Sequence, residues 1–387
     1  MKTRVVVTSL GVITPNAENL PEFARALKSG KSGISKLQAL DISSLRINIA
    51  GEIKWNKKVP EMDRFSSLAL KTLDQTIKDI SFSEKDRSAV IWGTSGGGAL
   101  SFEEAVRTGV KDEHFTDKIS YHHAARLIAE KTHTSEPPLT ISTACSSGAI
   151  AMGYAFQKIR SGFLDVAVTG GSDTINLSTY AGFHSLRALD PEGCRPFDKE
   201  RKGLVVGEGA ALFVLESLEH AKERGAEILA EIAGAGMSAD AFHETSPDPT
   251  GSGAALAMSR ALEDAGMSPE EIDYINAHGT GTPHNDSMET AAIKKIFGKK
   301  AYSIPVSSTK SMIGHLLGAG GPVEAVACII GMREGFIPPT INYKVPDPEC
   351  DLDYVPNTSR KANIRTALSN SFAFGGNNAT LVMKKYG

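Results

Sequence analysis

Cys145 lies in the segment Leu139-Thr-Ile-Ser-Thr-Ala-Cys-Ser-Ser-Gly-Ala-Ile-Ala-Met-Gly-Tyr154. An apolar, β-branched run leads into it and a small-residue, helix-favouring run leads out. That pattern predicts strand, sharp turn and helix, with the thiol at the turn. At a helix start the first N–H groups lack intrahelical partners and the macrodipole is positive. Both effects favour thiolate over thiol, so the cysteine reads as a nucleophile. Three further segments carry groups able to act beside it. Asn276-Ala-His-Gly-Thr-Gly-Thr-Pro283 sets His278 at a strand end, before a glycine- and threonine-rich turn. Ser308-Thr-Lys-Ser-Met-Ile-Gly-His-Leu-Leu-Gly318 carries Lys310 and His315, and Asn370-Ser-Phe-Ala-Phe-Gly-Gly-Asn377 is an aromatic, glycine-rich turn. Singly, each has a plain structural reading: a satisfied histidine, a core cysteine, a solvated lysine, a simple turn. Together they occupy equivalent post-strand turns of a repeated unit. One sheet edge would gather them, outside the strand carboxyl ends, where α/β proteins bind ligands.

The elements that must position them alternate short apolar strands with helix-period segments, which predicts an α/β fold. Predicted strands form two series, 4–8, 89–93, 139–142, 166–170 and 210–216, then 228–234, 274–277, 305–307, 367–371 and 379–384. Predicted helices include 20–29, 121–130, 147–160, 253–266, 288–297 and 321–334. Each series has a strand ending in a Gly/Thr turn, then Ser/Thr-rich residues before a small-residue helix, then a Gly-Gly turn and a strand. The pattern predicts a duplicated α/β unit joined near residue 225. Half 1–225 would carry Cys145 and half 226–387 both histidines, meeting at one interface, a common place for a site.

Composition narrows the partners. At 387 residues the chain can bury one large core or two ordinary ones, and a net charge of −3 gives no nucleic-acid footprint. No run of 18 apolar residues occurs, and Met1-Lys-Thr-Arg-Val-Val-Val7 lacks a signal-peptide core, so a soluble, cytoplasmic protein with no membrane partner is expected. The cysteines at 145, 194, 328 and 350 form no CxxC pair, which argues against a disulfide framework and against any metal site. Cys328 reads as core, and Cys194 and Cys350 as loop residues without a chemical role. Neither a phosphate loop nor a dinucleotide fingerprint is present.

Four segments carry a family resemblance. Thr143-Ala-Cys-Ser-Ser-Gly148, His278-Gly-Thr-Gly-Thr-Pro283, Thr309-Lys-Ser-Met-Ile-Gly-His-Leu-Leu-Gly318 and Asn370-Ser-Phe-Ala-Phe-Gly-Gly-Asn377 resemble those of β-ketoacyl-acyl carrier protein synthases. The nearest type is the condensing enzyme II branch of fatty acid synthesis and its polyketide-pathway ketosynthase relatives. The likeness runs from Val5-Val-Val-Thr-Ser-Leu-Gly-Val-Ile-Thr-Pro15 to the last strand. It implies a thiolase-like fold with a layered α-β-α-β-α core and no bound cofactor. Substrates ride on the 4'-phosphopantetheine arm of acyl carrier protein. The implied reaction is decarboxylative Claisen condensation. Cys145 takes the acyl group from a carrier thioester. The backbone amides of Cys145 and Phe374 hold the oxyanion, and Gly375 and Gly376 let that turn approach. His278 and His315 donate to the enolate left when malonyl carrier loses CO2. Lys310 supports this site and helps hold His315. Glu324 is a supporting carboxylate nine residues past His315, and Thr280 and Thr282 bind the pantetheine arm.

Departures from the family pattern carry further expectations. Gly96 stands where a bulky aliphatic residue commonly gates the far acyl pocket, which predicts an opened pocket. Ala373 replaces a glycine in the turn that bears the gate residue Phe374, which predicts altered swinging. Asp240-Ala-Phe-His-Glu-Thr-Ser-Pro247 matches the family's second mobile loop. Arg195, Lys199, Arg201 and Lys202 form a candidate docking patch for an acidic carrier, whereas a basic family position reads Pro60-Glu61 here. The family implies a dimer, with an identical chain or with a chain-length-factor-like partner. Three alternatives compete. A non-catalytic chain-length partner would lack the cysteine. A Cys-His hydrolase leaves the second histidine and Lys310 without a task. A thiolase would be expected to carry a second catalytic cysteine where this chain has Phe374-Gly-Gly.

Overall fold

Ten strands join into one mixed sheet in the computed structural model, which describes residues 3–43, 45–54, 61–76, 82–83 and 85–387. Pro60 lies outside the described residues. In chain order the strands are β1 (Val5–Ile13), β2 (Ser88–Gly93), β3 (Leu139–Ile141), β4 (Val166–Asp173) and β5 (Gly209–Ser217), followed by β6 (Ala230–Ala239), β7 (Tyr274–Asn276), β8 (Val306–Ser307), β9 (Thr366–Phe372) and β10 (Asn377–Lys384). The sheet order is β8-β7-β9-β10-β6-β1-β5-β4-β2-β3. Its two halves repeat one topology. β2 runs parallel to β3 and β4, and β5 antiparallel to β4 and β1. β7 likewise runs parallel to β8 and β9, and β10 antiparallel to β9 and β6. A short antiparallel seam, Val5–Val7 against Ala230–Ile232, joins the halves.

β1 and β4 are buried along their whole length, so they read as unbroken apolar or small-residue runs without alternation. Helices α1 (Arg64–Thr76), α2 (His123–Thr132), α3 (Ser147–Arg160), α4 (Ser252–Ala265), α5 (Pro283–Phe297) and α6 (Gly320–Glu334) cover the sheet faces. α3 packs on β2 and β4 and also touches β6 and β10, while α6 packs on β9 and β5 and on α3. Both helices therefore lie between the half-sheets. α1 with α2 covers one outer face and α4 with α5 the other, which gives the five layers α-β-α-β-α. α6 is buried from Gly320 to Met332, including Cys328, which accounts for its apolar circumference.

The two central helices meet through small residues. A Cβ at Gly148 would stand 2.4 Å from Pro322 Cγ and 2.5 Å from the Gly318 carbonyl oxygen. Gly148→Ala must push α3, and Cys145 before it, away from α6. We expect a loss of about 1–3 kcal/mol, read as a lowered thermal midpoint. An unchanged midpoint would mean that the helices part freely.

Candidate active site

Beyond β3 the chain turns through Thr143, Ala144 and Cys145. Ala144 has a φ of 52°, in the left-handed region that costs a residue with a Cβ about 1–2 kcal/mol. The next two serines pin this turn. Ser147 Oγ accepts the Thr143 N–H at 2.9 Å and donates to the Ala144 oxygen at 2.6 Å, and Ser146 Oγ donates to the Thr143 oxygen at 2.9 Å. The thiol is buried, and the backbone N–H groups of Phe374 and of Cys145 itself point at it. The expectation of a thiolate is corrected. Burial pushes the Cys145 thiol up to about 11, outweighing the Lys310 charge and the two N–H groups that pull the other way. At rest Cys145 is a thiol.

His278 follows β7, and one carboxylate holds its turn. Glu289 on α5 accepts the His278 N–H at 2.9 Å, the Gly279 N–H at 2.8 Å and Asn370 Nδ2 at 3.0 Å. Glu289 is fully buried, which pushes its carboxyl up to about 7. Sequence reasoning did not single it out. Its signal was an acid eleven residues past His278 in a helix that opens with Pro283. His315 is fixed through its backbone, which donates to Val205 O at 2.7 Å and accepts from Gly207 N–H at 2.9 Å. The two imidazoles stand edge to face with centroids 5.3 Å apart. Burial, then the nearby Lys310 charge, pushes both well below the ordinary histidine value, so both rings are neutral.

The expectation that Lys310 steadies His315 is corrected, because its Nζ lies 3.4 Å from His278 Nδ1 and pairs with Glu324 Oε1. An ammonium only donates, so His278 Nδ1 accepts and its proton sits on Nε2. Burial raises Glu324 to about 7, against the opposing pull of Lys310.

A cavity of about 300 Å³ brings together Cys145, His278, His315, Thr280, Thr282 and Phe374. The two threonine hydroxyls are 2.9 Å apart. Phe374 packs on Phe183, centroids 5.6 Å apart, and Gly375 and Gly376 follow it at φ 78° and 73°. Ala373 is extended at φ −129° and ψ 156°, a conformation any residue adopts, so the alanine adds no strain there. Gly96 does not line this cavity. Its N–H donates to Asp173 Oδ1 at 2.9 Å, and a Cβ there would stand 3.5 Å from Asn176 and Asp173, an ordinary contact.

The four-residue basic patch divides in the structure. Arg195 is buried against Asp190 and Glu192, and Arg201 is buried against Asp286 and Asp347. Neither can present charge to a protein surface, and the patch is corrected to its exposed members, Lys199 and Lys202. Arg187, which the sequence did not flag, lines the cavity beside Lys202, is exposed and holds a φ of 54°.

Two family descriptions match the chain, the N-terminal domain of β-ketoacyl synthases over residues 2–221 and the C-terminal domain over 229–344. The chain is 43% identical over 411 residues to the 3-oxoacyl-[acyl-carrier-protein] synthase 2 of Synechocystis sp. (strain ATCC 27184 / PCC 6803 / Kazusa), covering 100% of this chain and 99% of that one. It is 40% identical to nodulation protein E of Rhizobium sp. (strain N33), with 100% of both chains covered. Its fold matches the ishigamide ketosynthase/chain length factor at a TM-score of 0.92 and 38% identity, with both chains fully covered. A type II polyketide synthase acyl-carrier protein in complex with its ketosynthase matches at 0.93 and 33%, again over the whole of both chains.

Proposed function

The chain belongs to the β-ketoacyl synthase family, condensing enzymes of the acyltransferase type, and from that premise we propose how its own residues carry the reaction. Half 1–225 supplies the nucleophile, and half 226–387 the histidines and the second oxyanion amide. The Cys145 sulfur attacks the carbonyl carbon of a carrier-bound acyl thioester. A new C–S bond forms, the bond to the pantetheine sulfur breaks, and the thiol proton leaves with that sulfur. The amides of Cys145 and Phe374 stabilise the oxyanion. Malonyl carrier then enters beside Thr280 and Thr282 and loses CO2. The electron pair of the broken C–C bond becomes an enolate, whose oxygen accepts N–H bonds from His278 and His315. Its carbon attacks the Cys145 thioester, forming the new C–C bond and breaking the C–S bond, and the departing thiolate regains its proton from water. Burial and the Lys310 charge keep His278 neutral, and Lys310, held by Glu324, leaves the ring proton on Nε2.

The observation that carries this reading is one cavity joining a thiol faced by two N–H groups to two neutral imidazoles 5.3 Å apart. Mass spectrometry of Cys145 after incubation with a panel of acyl carriers tests it. A stable acyl adduct on Cys145, cleared by malonyl carrier with release of a β-ketoacyl product, is expected. Hydrolysis without product would favour the hydrolase.

The carrier docks at the cavity mouth, where exposed Arg187 offers positive charge to an acidic partner beside Lys202, itself paired with Glu192 at 2.6 Å. Arg187→Glu should raise KM for carrier-bound acyl groups by about tenfold, an effect that shrinks with added salt. It should leave a small pantetheine thioester unaffected. Equal effects on both substrates would remove Arg187 from docking.

A second subunit covers the free edge of β3. Leu139 on this strand is 41% exposed. An identical chain is the first reading. A chain-length-factor-like partner is the second, favoured by the similarity to a ketosynthase in complex with its chain length factor from Xenorhabdus doucetiae, at 30% identity and a TM-score of 0.88 over 99% of this chain and 98% of that one. The mass of the purified chain in solution separates them. No helix among the described residues is long and apolar enough to cross a membrane, and the reading sets the reaction in the cytoplasm.

A further inference from the structure

The loop after β6 forms one wall of the cavity through Asp240, Thr245, Ser246 and Pro247. It is tied to the turn that carries Phe374. The Asp240 N–H donates to Gly376 O at 2.9 Å, and the Gly375 N–H donates to Glu244 O at 2.8 Å. The loop is strained at its start, where Ala241 has a φ of 50°.

One imidazole nitrogen closes it. His243 Nδ1 accepts the Thr245 N–H at 3.1 Å and the Ser246 N–H at 3.2 Å. A ring nitrogen accepts only while it carries no proton, so the closed loop requires neutral His243 with its hydrogen on Nε2. That side of the ring lies 3.7 Å from Glu244 Oε2 and is open to solvent, the His243 side chain being 46% exposed.

We propose that His243 is a proton-operated latch on the gate. Neutral, it folds residues 243–246 against the cavity and keeps Glu244 O under the Gly375 N–H. Taking a proton from solvent turns a third N–H toward two existing ones. Both bonds are lost, the loop opens, and the Phe374 turn loses its partner. The amide that faces Cys145 is then no longer held, and acyl transfer slows. Among the described residues, Glu244 is the one titratable side chain in contact with His243. Asp240 and Asp248 of the same loop are bonded to Asn378 and Thr250, and the Phe374 turn, 373–377, has no titratable side chain. Arg187, Lys202 and His284 share the cavity mouth. Buried His278 and His315 stay neutral, while Glu289 and Glu324, at about 7, titrate alike in wild type and variant.

The effect on catalysis rests on the role given above to Phe374, whereas the loop's response to protons does not. Hydrogen exchange of the 241–248 peptide, corrected for intrinsic pH dependence, reads the loop directly between about pH 5 and 8, the range in which histidines change charge. Protection in the wild type should fall about tenfold on acidification. His243→Asn, whose side-chain oxygen accepts from the same downstream N–H groups, should hold its protection throughout. His243→Ala should be unprotected at every pH. The rate of Cys145 acylation, wild type relative to His243→Asn, should drop about tenfold in step. Equal pH dependence of protection in wild type and His243→Asn overturns the latch. Loss of protection without loss of relative acylation overturns its link to Phe374.

Discussion

Cys145→Gln lowers condensation by about 10³-fold or more while malonyl-carrier decarboxylation continues. The two activities separate because they use different groups. In the proposed mechanism acyl transfer needs the sulfur, faced by the N–H groups of Phe374 and residue 145. Decarboxylation is there assigned to the His278–His315 pair, which is positioned from elsewhere, by Glu289 through the His278 and Gly279 amides and by Val205 and Gly207 at His315. Glutamine adds no charge, so the neutral state that Lys310 and burial impose on the imidazoles is kept. Its carbonyl can also fill the space of a thioester carbonyl against the two N–H groups. Condensation and decarboxylation are followed separately, as β-ketoacyl product and as CO2 release. Parallel loss of both would mean that the sulfur takes part in generating the enolate. Retained condensation would remove Cys145 as the acyl carrier.

The strand pattern was legible because each core strand carries a short apolar or small-residue run. The runs Val166-Ala-Val and Ala379-Thr-Leu-Val mark two of these strands. Extensions were less visible. β1 continues to Ile13 through Ser9 and Gly11, which interrupt the apolar run; Gly11 sits at a crowded position, where a Cβ would stand 2.3 Å from Thr72 O. The helix Leu177–Ser185 was missed because Thr, Tyr and Gly weaken its propensity, although Asn176 caps it by accepting the Thr179 N–H at 2.9 Å. At the site, side chains with a nucleophile's or base's chemistry announced themselves. Groups that act through geometry did not. Glu289 and Asp173 are fully buried carboxylates surrounded by backbone N–H donors; spacing after His278 is a faint signal for Glu289, whereas Asp173 looks like a surface acid until the turns close around it. The thiolate expectation failed for a related reason. Helix position is readable from sequence, but desolvation depends on the loops that later cover the sulfur, and here it is the larger effect.

His278→Ala lowers decarboxylation by about 10²–10³-fold, the cost of removing one donor aimed at a developing oxyanion. Acyl loading falls by less than about tenfold. The asymmetry follows from where each oxyanion sits. During loading the negative charge faces two backbone amides, which an alanine at 278 does not disturb, because Glu289 still accepts the 278 and 279 N–H groups. During decarboxylation the charge forms between the imidazoles. His278 supplies the Nε2–H that Lys310 fixes by donating to Nδ1. Removing the ring leaves Lys310 paired with Glu324, so the variant creates no unpaired buried charge and should remain folded. Its melting midpoint should therefore lie close to that of the wild type, and the kinetic loss can be assigned to the missing donor. Single-turnover acylation of Cys145 and CO2 release from malonyl carrier, measured on one preparation, give the two rates. If both steps fall equally, His278 serves the sulfur as well as the enolate, and the division of labour proposed between the amides and the imidazoles fails.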